Sequence, residues 1–407
     1  MTNFAGTTVQ DTTITNIAST RVASVDVYRG FVMLLMMGEV LSFSKVSEAL
    51  PGSSFWQLLA FNQNHVEWMG LSLHDMIQPS FTFLVGVVLP FSIAGRKNKG
   101  ATHSAILLHS IKRSLILVCL GIFLRSIHSR ETNFTFEDTL TQIGLGYTLL
   151  VLLGFCSRRI QVLALILLLV GYWLLFAIYP LPGAGFDYSA TGTTASWEHN
   201  LQGFAAHWNK TTNAAWAFDR WWLNLFPREK IFQFNEGGYA TLSFIPTLGT
   251  MLLGLVAGNI LQSTKMPAKK WKSFLIAGCS LLALGAIIHF TGINPIIKRI
   301  WTPAWTIFSG GICFLLLTFF YLVIDIWNYK RWSFFLAVIG VNSIAAYCIT
   351  DGGVLSFIRK SLYIHFGSQY DQLFGNAYAT LVSGALTLFF VWLILYWMYK
   401  NKVFIKI

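Results

Sequence analysis

Apolar residues in this 407-residue chain fall in long runs, separated by short polar or basic stretches. Ten runs approach the ~20 residues a helix needs to cross a hydrocarbon core of ~30 Å. They predict helices over 25–43, 72–94, 106–125, 139–156, 160–179, 240–261, 274–291, 304–325, 334–350 and 377–398, with eleven as the upper reading. The fourth and ninth runs are short, which points to broken helices or helices lying against others. Residues 1–20 are polar and hold no Lys or Arg, so they read as a disordered tail rather than a signal peptide. Residues 21–407 read as a single transmembrane domain. One connection stands apart: residues 180–239 form a loop far longer than a connection requires.

Composition strengthens this reading. Charged residues make up 11% of the chain and hydrophobic ones 55%, where soluble domains carry roughly 25% charged residues. A soluble enzyme, a disordered scaffold and a nucleic-acid binder are poor fits. The fold class is an all-α polytopic membrane protein. Cys119, Cys156, Cys279, Cys313 and Cys348 all lie in or beside apolar runs, so neither disulfides nor a thiolate metal site is expected.

The net charge of +12 divides by side. With both termini in the cytoplasm, 18 of the 29 basic residues face inward with only Asp11, Asp26 and Asp325. The inner side then carries +15 and the outer side −3, which is the positive-inside pattern. The long loop faces outward and carries Trp197, Trp208, Trp216, Trp221 and Trp222. Two readings stay open for it: an interfacial aromatic belt, or a lid that stacks on sugar rings.

Ionisable groups inside spans are costly and point to function. Glu39 falls in the first span, Asp75 in the first turn of the second, and Gln78 one turn deeper. The amphipathic stretch 55–61 delivers Gln63, His65, Glu67 and Trp68 to the same outer level. A histidine oriented by a carboxylate is the usual general base near neutral pH. By spacing alone, however, His65 is more often an interfacial histidine, and His74 beside Asp75 is a rival. The spacing fits no metal motif. On the inner side Arg29, Arg96, Lys97, Lys112 and Arg113 cluster. Such clusters usually set topology and bind anionic lipid; the alternative is a seat for the phosphates of a cytoplasmic cofactor.

Several segments resemble a known family. Arg21 to Gly30 followed by Met37-Gly38-Glu39, and Gln63-Asn64-His65-Val66-Glu67-Trp68-Met69-Gly70-Leu71 continuing to Asp75-Met76-Ile77-Gln78-Pro79-Ser80-Phe81, are similar to blocks of the heparan-α-glucosaminide N-acetyltransferase-like family. Asn235 to Tyr239, Ile245-Pro246, Asn294-Pro295, Lys298 to Trp305, and Gly340 to Ile344 with Tyr347 continue the resemblance in order. Met69, Gln78 and Ile143 depart from residues common in that family, which leaves acceptor identity open.

The resemblance implies a transmembrane acyltransferase of a bacterial inner (plasma) membrane. It would move an acetyl group from cytoplasmic acetyl-CoA to an amino sugar or glycan amine or hydroxyl outside. His65 would be base or acyl acceptor, with Glu39 or Asp75 orienting its ring and Asn342 or Gln142 donating to the thioester oxygen. Arg29, Arg96, Lys97, Lys112 and Arg113 would hold the phosphates. Gln63, Glu67, Trp68, Gln78, Gln142, Glu236 and Trp301 are the expected acceptor-binding residues. Expected partners are acetyl-CoA, the acceptor and the lipid bilayer, with a homodimer open; no nucleic acid and no metal are expected. The rival reading is a transporter or permease for a sugar or lipid-linked sugar, against which no inverted repeat is visible.

Overall fold

The computed structural model describes residues 22–183, 185–367 and 369–405. The polar tail at 1–20, with Asp11, Arg21 and Lys406, lies outside the described residues. The described chain is helical: α1 (Ala23–Met37), α2 (Phe43–Ala49), α3 (Ser54–Gln63), α4 (Ile77–Lys97), α5 (His103–Ser126), α6 (Thr139–Gly154), α7 (Arg158–Ala177) and α8 (Ala214–Trp222) precede α9 (Phe244–Gln262). There follow α10 (Pro267–Phe290), α11 (Pro303–Phe320), α12 (Phe334–Val341), α13 (Ser343–Asp351), α14 (Val354–Phe366) and α15 (Ala379–Lys400).

Local sequence explains many of the ends. Thr102 and Asp138 cap α5 and α6 by accepting backbone N–H bonds, and Pro267 and Pro303 stand in the first turn of α10 and α11.

Among the described residues seven helices are long and apolar enough to cross a membrane, or nine if each of two bent pairs is one span. By length and composition this falls short of the expected ten or eleven. The run 139–156 yields only the 16-residue α6, about 24 Å long. The first run breaks after a 3-10 turn at Gly38–Leu41, with a bend of 42° between α1 and α2. The ninth bends by 78° at Asn342, between α12 and α13. Helix α14 lies outside every predicted run.

Burial sorts the bundle. Helices α4, α9 and α11 are central, whereas α5, α7, α10 and α15 present Leu115, Phe123, Leu163, Leu167, Ile276 and Phe389 outward. An apolar exterior of this kind is matched to hydrocarbon, where helices satisfy their own backbone groups. The central pair touches backbone to backbone. A Cβ on Gly86 would lie 1.9 Å from the Met251 carbonyl oxygen, and one on Gly254 would lie 1.9 Å from that of Phe83. Small residues at such contacts are the membrane form of tight helix packing. Gly30 and Gly340 bring α1 and α12 together in the same way.

The long loop is folded rather than open. Trp208 is fully buried among Tyr172, Phe176 and Trp68, and Trp216 is buried with its indole N–H on the Gln233 carbonyl at 2.8 Å. Trp197 and Trp222 are half-buried, while Trp221 is exposed. The loop thus forms a cap over one end of the bundle, with an apolar core shared with α7 and with the segments at Trp68 and Ile297.

Candidate active site

His65 sits on the segment between α3 and α4, which is held by a bond within itself and by two other segments, around Ile297 and Gly237. Ser72 Oγ donates to the Asn64 carbonyl at 2.6 Å, closing the loop on itself. Met69 bridges Ile297, and the Gly70 N–H donates to the Ile296 carbonyl at 3.2 Å. Arg299 donates to the Val66 carbonyl at 3.1 Å and to the Gly237 carbonyl at 2.9 Å. Residues distant in sequence thus fix the histidine's backbone.

Asp75 fixes its ring. The imidazole Nδ1–H donates to Asp75 Oδ1 at 2.7 Å. Asp75 is fully buried, and its other oxygen accepts from the Ser72 N–H at 3.0 Å and from the Val66 N–H at 3.3 Å. So many donors favour the ionised carboxylate. A proton held on Nδ1 leaves Nε2 as the basic nitrogen.

The third member is Lys298, buried beside both. Its ammonium lies 3.6 Å from Asp75 Oδ1 and 3.1 and 3.3 Å from the two ring nitrogens of His65. Nearly equidistant from both nitrogens, it rests against the ring rather than on either lone pair. Burial pushes the amine down to about 8, with Asp75 opposing that shift. Burial also lowers His65 below its usual range; the Asp75 hydrogen bond opposes the fall and the Lys298 charge adds to it. His65 is therefore a neutral base with one third of its side chain still exposed.

His65 and Lys298 line a cavity of about 820 Å³ roofed by the cap. Glu39, Gln78 and Glu236 also line it, so four of the expected site residues meet there with His65 among them. Glu39 is not on His65: it pairs with His74 at 3.0 Å, and the His74 ring lies 4.5 Å from that of His65. The rival histidine is a neighbour with its own carboxylate.

Other expected residues lie elsewhere. Gln63 accepts from the Phe43 N–H at 2.6 Å and donates to the Gly38 carbonyl at 2.8 Å, bridging the break between α1 and α2. Both amide N–H bonds of Gln142 go to carbonyls, those of Phe136 at 2.6 Å and Thr241 at 3.1 Å, which leaves none for a thioester oxygen. Trp68 and Trp301 are buried, their indoles donating to the Trp208 carbonyl and to Thr250 Oγ1. Glu67 lines a separate cavity of about 440 Å³ with Trp197 and Lys210. Asn342 is fully buried at the α12–α13 break with neither amide atom bonded.

None of Arg29, Arg96, Lys97, Lys112 and Arg113 lines the large cavity. Arg113 stacks on Tyr147 at 4.5 Å and donates to its hydroxyl, Lys97 lies over Phe155, and Arg29 is 3.8 Å from Asp26. Lys112 is exposed on α5 and Arg96 closes α4. Sequence reasoning passed over Lys298, Tyr239, Asp219 and Glu137 as participants. The signal for Lys298 was its place in a block of the family resemblance. Among the described residues no group of three or more His, Cys, Asp or Glu side chains is placed to hold a metal.

No family model matches the chain. Over 95% of its length, however, it is 24% identical to the human protein named heparan-alpha-glucosaminide N-acetyltransferase. The mouse protein of that name is likewise 24% identical over 96% of the chain. The chain is thus similar to the heparan-alpha-glucosaminide N-acetyltransferases over nearly its whole length. It spans about 60% of the human relative's length and 61% of the mouse relative's. The alignment thus agrees with the resemblance carried by the residue blocks around His65, Asp75 and Lys298.

Proposed function

We propose that the chain is a membrane-embedded acyltransferase that moves an acetyl group from cytoplasmic acetyl-CoA to an amino sugar or glycan acceptor on the outer side. The observation that carries this reading is the His65–Asp75–Lys298 group at a cavity able to admit a sugar, in a relative of enzymes named as N-acetyltransferases.

Bound acetyl-CoA supplies the activated acyl group. His65 Nε2 either removes the proton from the attacking amine or hydroxyl, or itself takes the acyl group before passing it on; in both routes the thioester C–S bond breaks and CoA leaves as the thiol, carrying the proton that the acceptor loses. Asp75 holds the tautomer and stabilises the imidazolium, as the acidic member of a triad does. Lys298 keeps the resting ring neutral and is the cation best placed to meet negative charge developing on the thioester oxygen. Six carboxylates and only three Arg or Lys line the cavity, a poor seat for polyphosphate. The CoA phosphates are assigned instead to the basic group Arg29, Arg96, Lys97, Lys112 and Arg113 at the opposite ends of the spans. Gln78 and Glu236, which line the cavity, are assigned to the acceptor.

On this reading both termini lie on the cytoplasmic side of a bacterial inner membrane. A direct assay supplies labelled acetyl-CoA and glucosamine to proteoliposomes. The proposal expects acetylated sugar. Uptake of unmodified sugar without acetylation would favour the transporter instead.

A further inference from the structure

The cavity has a second group of ionisable side chains, joined to His65 by no hydrogen bond or ion pair. Asp219 of α8 in the cap and Glu137 and Asp138 before α6 line it, with Asp351 at the end of α13. Asp138 is engaged: its oxygens accept from Leu140, Thr141 and the Thr141 hydroxyl at 2.7–3.1 Å. Asp219 is half-engaged. Its Oδ2 accepts from the Thr241 N–H at 2.9 Å, whereas Oδ1 has no partner, although the residue is 3% exposed. Two arginines, Arg125 and Arg228, also line the cavity, and neither satisfies it. Arg228 donates to the Leu223 carbonyl at 2.8 Å and to the Phe134 carbonyl, and Asp219 has no ion pair among the described residues.

A buried ionised carboxylate without a second donor is unfavourable unless it takes up a proton or a cation binds to it. Burial accordingly pushes Asp219 up to about 7 and raises Glu137. An arriving cation offers the missing donors and counter-charge together. The cavity, at about 820 Å³, lies in the upper part of the ~300–1,000 Å³ range of small-molecule sites, so it has room for more than one sugar ring.

We propose that Asp219 and Glu137 form a subsite for a primary ammonium on a polyhydroxylated ring, apart from the amine that reacts at His65. The acceptor class is then an oligomer of amino-sugar units with more than one free amine. This inference rests on the acyltransferase reading for its meaning, though not for its test.

The test is calorimetric titration of the purified full chain, without acetyl-CoA, using a β-1,4-linked glucosamine disaccharide and its neutral counterpart cellobiose. Wild type and His65→Ala are both expected to bind the diamine about tenfold more tightly. In Asp219→Asn that preference shrinks below about threefold, since the amide cannot supply the charge. Glu137→Gln acts in the same direction and decides the matter if Asp219→Asn fails to fold. Equal binding of the two disaccharides to wild type, or an unchanged preference in a folded Asp219→Asn, overturns the subsite. Loss of acetyl transfer as a general property, with the preference intact, would sink the acyltransferase reading and leave the subsite standing.

Discussion

His65 owes its chemistry to two neighbours that pull in opposite senses. Asp75 fixes the tautomer and favours the imidazolium, whereas Lys298 and burial favour the neutral ring. Asp75→Asn should therefore lower kcat by about 10²–10⁴ with little change in the KM for acetyl-CoA, measured by steady-state transfer. The pH profile of kcat/KM should rise through a value below the usual histidine ~6.5, as His65 loses its proton. It should fall through about 8, as Lys298 loses its own. In Lys298→Met the alkaline limb should vanish. The acid limb should move to higher pH, because the cation that depressed His65 is gone. An unchanged profile in that variant would remove Lys298 from the mechanism. At this scale the sequence was partly legible. His65 and Asp75 are ten residues apart, and the sequence offered both, with Glu39 as the alternative carboxylate and His74 as the rival histidine. Lys298 is 233 positions from His65, and in the unaided sequence it was one more outer-loop cation. Gln63 and Gln142 misled because a polar side chain near the mouth of a bundle is as useful for bonding stray carbonyls as for binding substrate.

Hydropathy located the spans but not their breaks. The α12–α13 segment is continuous in apolar character, yet it bends at Asn342, where Asn accepts backbone angles that end a helix. Helix α14 escaped because Arg359, Lys360 and His365 interrupt its apolar residues, leaving no window that reads as a span. The folding of the cap depended on which tryptophans meet, and pattern alone gave no access to that. What the sequence also concealed is the closeness of α4 and α9. Gly254→Leu must push a side chain against the Phe83 carbonyl, where even a Cβ comes to 1.9 Å. That substitution should destabilise the bundle by about 3 kcal/mol, read as a lower thermal midpoint in detergent and lower folded yield. A substitution at Gly95, which meets nothing within 4 Å, is the control and should leave the midpoint almost unmoved.

Across the whole molecule, sparse charge does two jobs. Basic residues gather at one end of the spans, and the carboxylates of the large cavity sit at the other. The proposed orientation can be checked with single cysteines in a variant lacking the native ones. A membrane-impermeant maleimide should label Ser129→Cys on intact cells but reach Asn98→Cys only after lysis; the reverse pattern would invert the topology. With that orientation, the proposed reaction has a donor bound from the cytoplasm and an acceptor bound outside meeting at His65. The most direct measurement is transfer of label from acetyl-CoA to glucosamine in proteoliposomes, comparing wild type with His65→Ala. Wild type should yield acetylated sugar, and His65→Ala should fall by at least about 10²-fold while keeping its fold. Transfer by His65→Ala at the wild-type rate would contradict the account.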